Sequence, residues 1–313
     1  MIERHEIISR EQWLELRKPD VTASVIGALF GAHPYLTALK VFLMHSGIEF
    51  DEPDSRVLRR GRLLESAVAL AVAEERPEWR IEKCNAYYRD PDLRLGATPD
   101  FLIMGDPRGL GVLQVKTAAP HIFDRDWQEG DEAPFWIQLQ ALTEAMLVEA
   151  SFAVIAVLKI HAFDLACGII EIPRHPGAER RITDAVAKFW EDVAAGREPP
   201  ADYNRDGELL RAIAPREIPG KSIDLAGSNE LPALLEQREE ICASIKAYEA
   251  RKDEIETQLK FTMRDAEVVT GLPDWSISWK SSHRKEFVMP AKDIRTLRIH
   301  HKERRNGSIS SSS

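Results

Sequence analysis

The sequence predicts an α/β fold, in its α+β sense, extended by a C-terminal helical coiled-coil arm. Three patterns carry that prediction. Short apolar β-runs bounded by turn residues cluster at 81–117 and again at 152–172. Amphipathic segments of helical period surround them at 57–75, 134–148 and 178–195. Beyond residue 228 the pattern changes to heptads.

Taken in order, Arg10–Arg17 reads as a short helix carrying Trp13 and Leu16 and stopped near Pro19. Thr22-Ala23-Ser24 leads into an apolar segment, Val25 to Phe30, ending at Gly31. Thr37–His45 is a second helix and Gly47–Ser55 a polar loop. Val57–Glu75 is a long helix with Leu63, Leu64, Ala67, Leu70 and Ala71 on its apolar side. Ile81–Tyr88 reads as a strand before an Asp-Pro-Asp turn at 90–92. A hairpin pairing Asp100–Met104 with Gly111–Val115 follows, then a polar loop, His121–Glu132, suited to a lid or DNA-facing segment. Pro134–Val148 is helical, Phe152–Ile160 and Phe163–Ile172 form a hairpin around His161-Ala162, and Ala178–Ala195 is an amphipathic helix closed by Gly196.

Domains follow from composition. Residues 1–202 read as one globular unit, and 203–228, rich in Asp, Gly, Pro and Ser, as a linker. Residues 229–300 make the arm. Its Leu231–Met263 helix repeats Leu234, Ile241, Tyr248 and Ile255 every seven residues, with Ile245 and Leu259 interleaved and breaks at Arg238 and Lys252. A packing or oligomer contact is the simplest use of such a seam. Short strands are expected at Glu267–Thr270, Trp275–Lys280 and Phe287–Met289, and 301–313 is a low-complexity tail expected to be disordered.

With 313 residues and 44% hydrophobic content, the chain can bury one large core or two smaller ones. The net charge of −9 does not announce a nucleic-acid binder. Any such contact must come from local patches, such as Arg56, Arg59, Arg60 and Arg62, or the basic 280–305 segment. Three scattered cysteines, Cys84, Cys167 and Cys242, fit free thiols and disfavour a cysteine-ligated metal. No apolar run approaches eighteen residues and the N-terminus lacks a signal-type apolar region, so a soluble cytoplasmic protein without membrane contact is expected.

The chemistry concentrates at 98–116. Side chains two apart on a strand share a face, so Gln114 and Lys116 project together, and the hairpin brings Asp100 beside them. A carboxylate, an amide oxygen and an ammonium at one point suit a hard divalent cation and a positioned water. Mg²⁺ typically takes one or two carboxylates and leaves the remaining positions to water and substrate phosphate, which is phosphodiester-hydrolysis chemistry. Elsewhere the residues also have ordinary readings. Ser24 is a natural helix cap and Arg17 a surface charge. Glu65 suits a solvated helix face, and Gln138 and Gln140 suit water.

The order Gly61…Glu65, Pro99-Asp100, Gln114-Val115-Lys116 and Gln138-x-Gln140 resembles the PD-(D/E)XK nuclease superfamily. More narrowly it resembles the YqaJ-like viral recombinase group, the lambda exonuclease family, as do Arg17…Thr22-Ala23-Ser24, Ala32-His33-Pro34-Tyr35 and the ending from Phe189 to Pro200. The likeness covers about residues 8–202.

The resemblance implies a restriction-endonuclease-like core, a central mixed sheet flanked by helices. Asp100 would be the main metal ligand, with Gln114 Oε1 and the Val115 carbonyl beside it and Glu65 on a second metal. Lys116 would orient and help deprotonate the attacking water. Gln138 would brace the site or touch the nucleotide, and Arg17 and Ser24 would bind a 5′-phosphate. The implied activity is Mg²⁺-dependent 5′→3′ digestion of linear duplex DNA from its ends, with Mn²⁺ able to substitute. The implied partners are a single-strand annealing protein and, through a trimeric ring, further copies of the chain, in a host cytoplasm.

One position departs from the family: Gln114 stands where Glu or Asp is usual. It removes a negative charge, so a higher metal requirement is expected. Two alternatives stay open, a superfamily endonuclease of repair or restriction and a catalytically weakened protein that binds DNA ends.

Overall fold

The computed structural model describes residues 1–50, 56–161, 165–283 and 297–299. The chain divides into two compact units, Met1–Pro215 and Arg216–Ser313. In order, the first unit runs β1 (Glu3–Glu6), α1 (Arg10–Arg17), β2 (Val21–Thr22), α2 (Ile26–Leu29), α3 (Ala38–His45), α4 (Arg56–Glu75), β3 (Arg80–Lys83), β4 (Ala86–Asp90) and β5 (Leu95–Ala97). It continues through β6 (Phe101–Met104), β7 (Gly111–Ala118), α5 (Pro120–Asp126), α6 (Phe135–Val148), β8 (Phe152–Ile160), β9 (Leu165–Pro173), α7 (Pro176–Ala194) and α8 (Leu209–Ile213).

The main sheet has the order β3-β6-β7-β8-β9. β7 lies at its centre, antiparallel to β6, with Phe101 opposite Leu113, and parallel to β8, with Gln114 opposite Ile155. The parallel pair requires a crossover, and α6 supplies it. Both faces of β7 and β8 are covered, which is why these strands are almost continuously apolar. Period two then sorts β7. Leu113 and Val115 pack with Val68 and Val72 of α4, whereas Val112 packs with Ile137, Ala141 and Ala145 of α6. Gln114 and Lys116 alternate with the former and so belong to the α6 face.

α6 is buried at ten of its fourteen positions. An apolar surface all round means partners on several sides. Its other face, through Leu139 and Leu142, joins Ile26, Phe42, Ile182, Val186 and Phe189 of α2, α3 and α7. A second sheet, β1-β4-β5-β2, completes the unit. Here the buried Asp20 carboxylate accepts from Tyr87 Oη at 2.9 Å and from Arg89 Nε and an Arg89 terminal nitrogen, both at 2.8 Å.

Three expectations change. The Ile81–Tyr88 strand is two strands, because the chain leaves β3 at Cys84 and joins the second sheet as β4. The His121–Glu132 loop is largely helical: Pro120 opens α5, and Phe123 and Trp127, four apart, are buried against the α6-side core. Such a segment is anchored by its aromatics rather than hanging free as a lid. Within 203–228, expected as linker, α8 forms and Asp206 is buried, accepting from Thr37 Oγ1 at 2.6 Å. Strand β9 begins at Leu165, so the expected start at Phe163 and the hairpin turn at Ala162 lie outside the described residues, as do residues 51–55 of the polar loop.

In the second unit, α9 (Glu230–Met263) is one uninterrupted helix of 34 residues, followed by β10 (Val268–Val269) paired with β11 (Ile277–Ser278). The seam residues Leu234, Ile241, Ile245, Tyr248, Ile255 and Leu259 are all exposed. The strand expected at Phe287–Met289, most of the basic 280–305 segment and the 301–313 tail lie outside the described residues.

Candidate active site

Asp100 stands at the mouth of β6, directly after Pro99, whose fixed φ favours an extended entry. The β6–β7 register sets Asp100 opposite Gln114. Asp100 Oδ2 accepts from Gln114 Nε2 at 2.6 Å and from the Val115 backbone N–H at 2.9 Å. Among the described residues Oδ1 takes no hydrogen bond. Burial raises the Asp100 carboxyl above its ordinary range, and the Glu65 charge adds to the rise. The Lys116 and Lys83 charges and the Val115 bond act in the opposite direction. Asp100, Lys116, Glu65 and Lys83 therefore share one electrostatic site.

Lys116 reaches Gln140 Oε1 at 3.4 Å and lies 5.9 Å from the centre of the Trp136 ring. Glu65, on α4, is half-buried rather than solvated, and its Oε2 meets Lys83 Nζ at 2.6 Å. Lys83 also lies over the Phe101 ring at 4.7 Å. Sequence reasoning missed Lys83. The signal was available in register, because Lys83 of β3 pairs with Phe101, the residue after Asp100.

Gln114 is 3% exposed, and its amide is turned nitrogen-first toward Asp100. Its Oε1, expected on a metal, instead accepts from Gln140 Nε2 at 3.1 Å. Gln140 Nε2 also donates to Glu144 Oε1 at 2.9 Å. Of the two glutamines, Gln140 rather than Gln138 enters the site. Residues two apart on a helix project in different directions, whereas Gln140 and Glu144, four apart, share a face. Gln138 instead donates to the Ala133 carbonyl at 2.7 Å, bracing the turn into α6.

A second cluster lies toward α1. Arg17 donates to Thr22 Oγ1 at 3.2 Å and Ser24 Oγ at 3.3 Å, and the two hydroxyls are 3.1 Å apart. Arg17 stacks over Trp13 at 4.3 Å, and Trp13 Nε1 donates to Thr98 Oγ1 at 2.9 Å, two residues before Asp100. Burial lowers the Arg17 pKa, so a desolvated guanidinium and two hydroxyls are gathered where an anion would be welcome. His33 adjoins Lys116: its ring lies tilted against Trp136 with centres 4.6 Å apart, and its Nδ1 accepts from the Tyr35 and Leu36 N–H groups, both at 3.1 Å. Burial, then the Lys116 and Arg205 charges, push its pKa down to about 4, so it is neutral near pH 7.

The oxygen donors beside Asp100 suit a hard divalent cation. Asp100 Oδ1, the Glu65 carboxylate and the Val115 carbonyl are the groups that could hold it, consistent with a cation that keeps several waters. Among the described residues no group of three or more His, Cys, Asp or Glu gathers.

No curated protein matches the chain. Similar solved structures include an alkaline exonuclease (LHK-Exo) from Laribacter hongkongensis, 18% identical with a TM-score of 0.49, over 64% of this chain and 99% of that one. Another is a phage-related exonuclease from Haemophilus somnus 129PT, 14% identical with a TM-score of 0.40, over 56% and 96%. Residues 12–148 match the model of the YqaJ-like viral recombinase domain. Both clusters lie inside that matched span.

Proposed function

We propose that this chain is a metal-dependent exonuclease that digests one strand of linear duplex DNA from its 5′ end. The observation that carries the reading is the convergence of Asp100, at the start of β6, with Gln114 and Lys116 in the middle of β7, inside the span matched by the YqaJ-like model. Mg²⁺, or Mn²⁺ in its place, would be held by Asp100, Glu65 and the Val115 carbonyl. When bound, the cation supplies positive charge that stabilises the attacking and leaving oxygens of the scissile phosphodiester. In the orientation described, Gln114 braces Asp100, and its Oε1 would join the ligands only if both amides turned over.

The chain's own residues do the rest. Lys116, held by Gln140 and the Trp136 face, orients the attacking water, and from its uncharged amine form it would take up that water's proton. Arg17 and Ser24 receive the terminal 5′-phosphate, a bidentate and hydroxyl-assisted contact that fixes the end of the strand. Gln138 supports the site through the Ala133 turn. The single strand left behind would pass to an annealing protein in a recombination system. The exposed α9 seam is the surface on which this reading places contacts with further copies, including a trimeric ring.

The test is release of nucleotides from linear duplex DNA in Mg²⁺, in Mn²⁺ and in chelator. Turnover that requires the divalent ion and disappears in Asp100→Ala supports the reading. Metal-dependent cleavage retained by Asp100→Ala would sink it. DNA-end binding without turnover would instead make the protein an end-binder weakened at Gln114.

A further inference from the structure

Glu144 has no part in the reading above, yet it is the most deeply buried carboxylate near the site. It is 1% exposed on α6, and its Oε2 has no hydrogen-bond partner among the described residues. A buried, half-satisfied carboxyl costs free energy, so its presence calls for a use. Its single bond is from Gln140 Nε2.

That bond has a direction. An amide has one donor end and one acceptor end, and the two are set by what surrounds it. Gln140 faces two groups that cannot be exchanged. Lys116 Nζ can only donate while it carries its charge, and Glu144 Oε1 accepts whether the carboxyl is ionised or carries its proton on Oε2. Together they leave Gln140 a single orientation, oxygen to Lys116 and nitrogen to Glu144 and Gln114. Gln114 must then offer Oε1 to Gln140 and Nε2 to Asp100. The polarity of four groups in series runs from the acceptor on α6 to the carboxylate at the head of β6.

We propose that Glu144 is a positioning residue of the nuclease site. As a buried acceptor it fixes the Gln140 and Gln114 amides so that Asp100 Oδ2 is held and Oδ1 is left toward the metal. The inference rests on the nuclease reading and deepens it. Geometry rather than charge is the agent, since what Gln140 needs from residue 144 is an oxygen at the right reach. Outer partners of metal ligands commonly change metal affinity or activity by about 10- to 100-fold when removed.

Three substitutions in the full chain separate the possibilities. Glu144→Gln keeps an acceptor oxygen at the same reach and loses the charge. Glu144→Asp keeps the charge and withdraws the oxygen by one methylene. Glu144→Met removes the acceptor and keeps the volume. Each is read by Mn²⁺ binding without DNA, followed as loss of the free-ion electron paramagnetic resonance signal, by kcat and KM on linear duplex, and by thermal midpoint. The proposal expects Glu144→Gln within about threefold of the parent. Glu144→Asp and Glu144→Met should bind Mn²⁺ about tenfold more weakly and lose about tenfold in kcat, with KM for DNA unchanged and folding intact.

Several outcomes overturn it. Equal impairment of Glu144→Gln and Glu144→Met would make charge the agent. Unchanged Mn²⁺ binding and kcat in Glu144→Met would leave Glu144 without a positioning role. Tighter Mn²⁺ binding in Glu144→Met would mean that Gln114 is a ligand held back by the lock. If Glu144→Met fails to fold, the Asp and Gln pair still decides the matter. Asp100→Ala is run alongside: retention of Mn²⁺ binding and turnover there would refute the nuclease reading itself rather than the role of Glu144.

Discussion

Asp100 and Glu144 end one hydrogen-bonded chain, and burial pushes both carboxyls upward. For Glu144 the rise, from 4.5 to about 8, comes first from desolvation and then from the Asp100 charge, against the Gln140 bond and the Lys116 charge. An acid whose folded pKa exceeds its unfolded one binds more protons when folded. Its contribution therefore favours the fold at low pH and is lost as pH climbs from about 4.5 to about 8. The thermal midpoint of the parent should decline across that window, and Glu144→Gln should decline less. An identical slope in the two would contradict the assignment. At the catalytic end, Lys116→Ala should lower kcat by about 10²- to 10⁴-fold, the usual range for a lost proton-transfer group. Arg17→Ala should instead remove the preference for a phosphorylated 5′ end, visible as a ratio of kcat/KM on phosphorylated and hydroxyl ends. Much of this was legible in the chain. The strand alternation at 114–116 and the hairpin after Pro99 predict the meeting of Asp100, Gln114 and Lys116, and the register realises it. The orientation of the Gln114 amide was not legible, because it depends on Gln140 and Glu144, brought in from a helix 26 and 30 residues away.

Among the elements, the helices were the easier to read and the sheet boundaries the harder. Repeated apolar positions marked α4, α6, α7 and α9 to within two residues at either end. The division of 81–88 between two sheets could not be read, since each half has sound strand composition and only tertiary pairing separates them. Gln140 was assigned to water on its residue type, and the layer packed on the far side of α6 overrode that tendency. The second sheet gives a direct test of how tightly it is built. A Cβ on Gly96 would lie 1.8 Å from Tyr87 Oη, the hydroxyl that donates to Asp20. Gly96→Ala should thus cost about 3 kcal/mol, the upper end for overpacking, measured by denaturant unfolding. Asp20→Asn should cost about 1–3 kcal/mol, because Tyr87 and Arg89 lose a buried charged acceptor while Glu3, at 3.5 Å, remains beside Arg89. Losses below about 1 kcal/mol in both would mean that this sheet yields more easily than its packing indicates.

For the whole molecule, the boundary at Pro215 separates a unit that holds every residue of the proposed chemistry from one that holds none of them. A fragment of residues 1–215 should fold with its metal site intact and cleave DNA, while losing whatever contacts the α9 seam makes with other copies or partners. Sedimentation of the fragment beside the full chain checks the second point, and the same number of copies in both assemblies would remove α9 from assembly. The proposed function turns on action at DNA ends. The most direct measurement is digestion of 5′-phosphorylated linear, 5′-hydroxyl linear and covalently closed circular duplex DNA in Mg²⁺, with Lys116→Ala as the blank. Rapid loss of the phosphorylated linear form, slower loss of the hydroxyl form and an intact circle are expected. Cutting of the circle at a comparable rate would contradict it and make the protein an endonuclease.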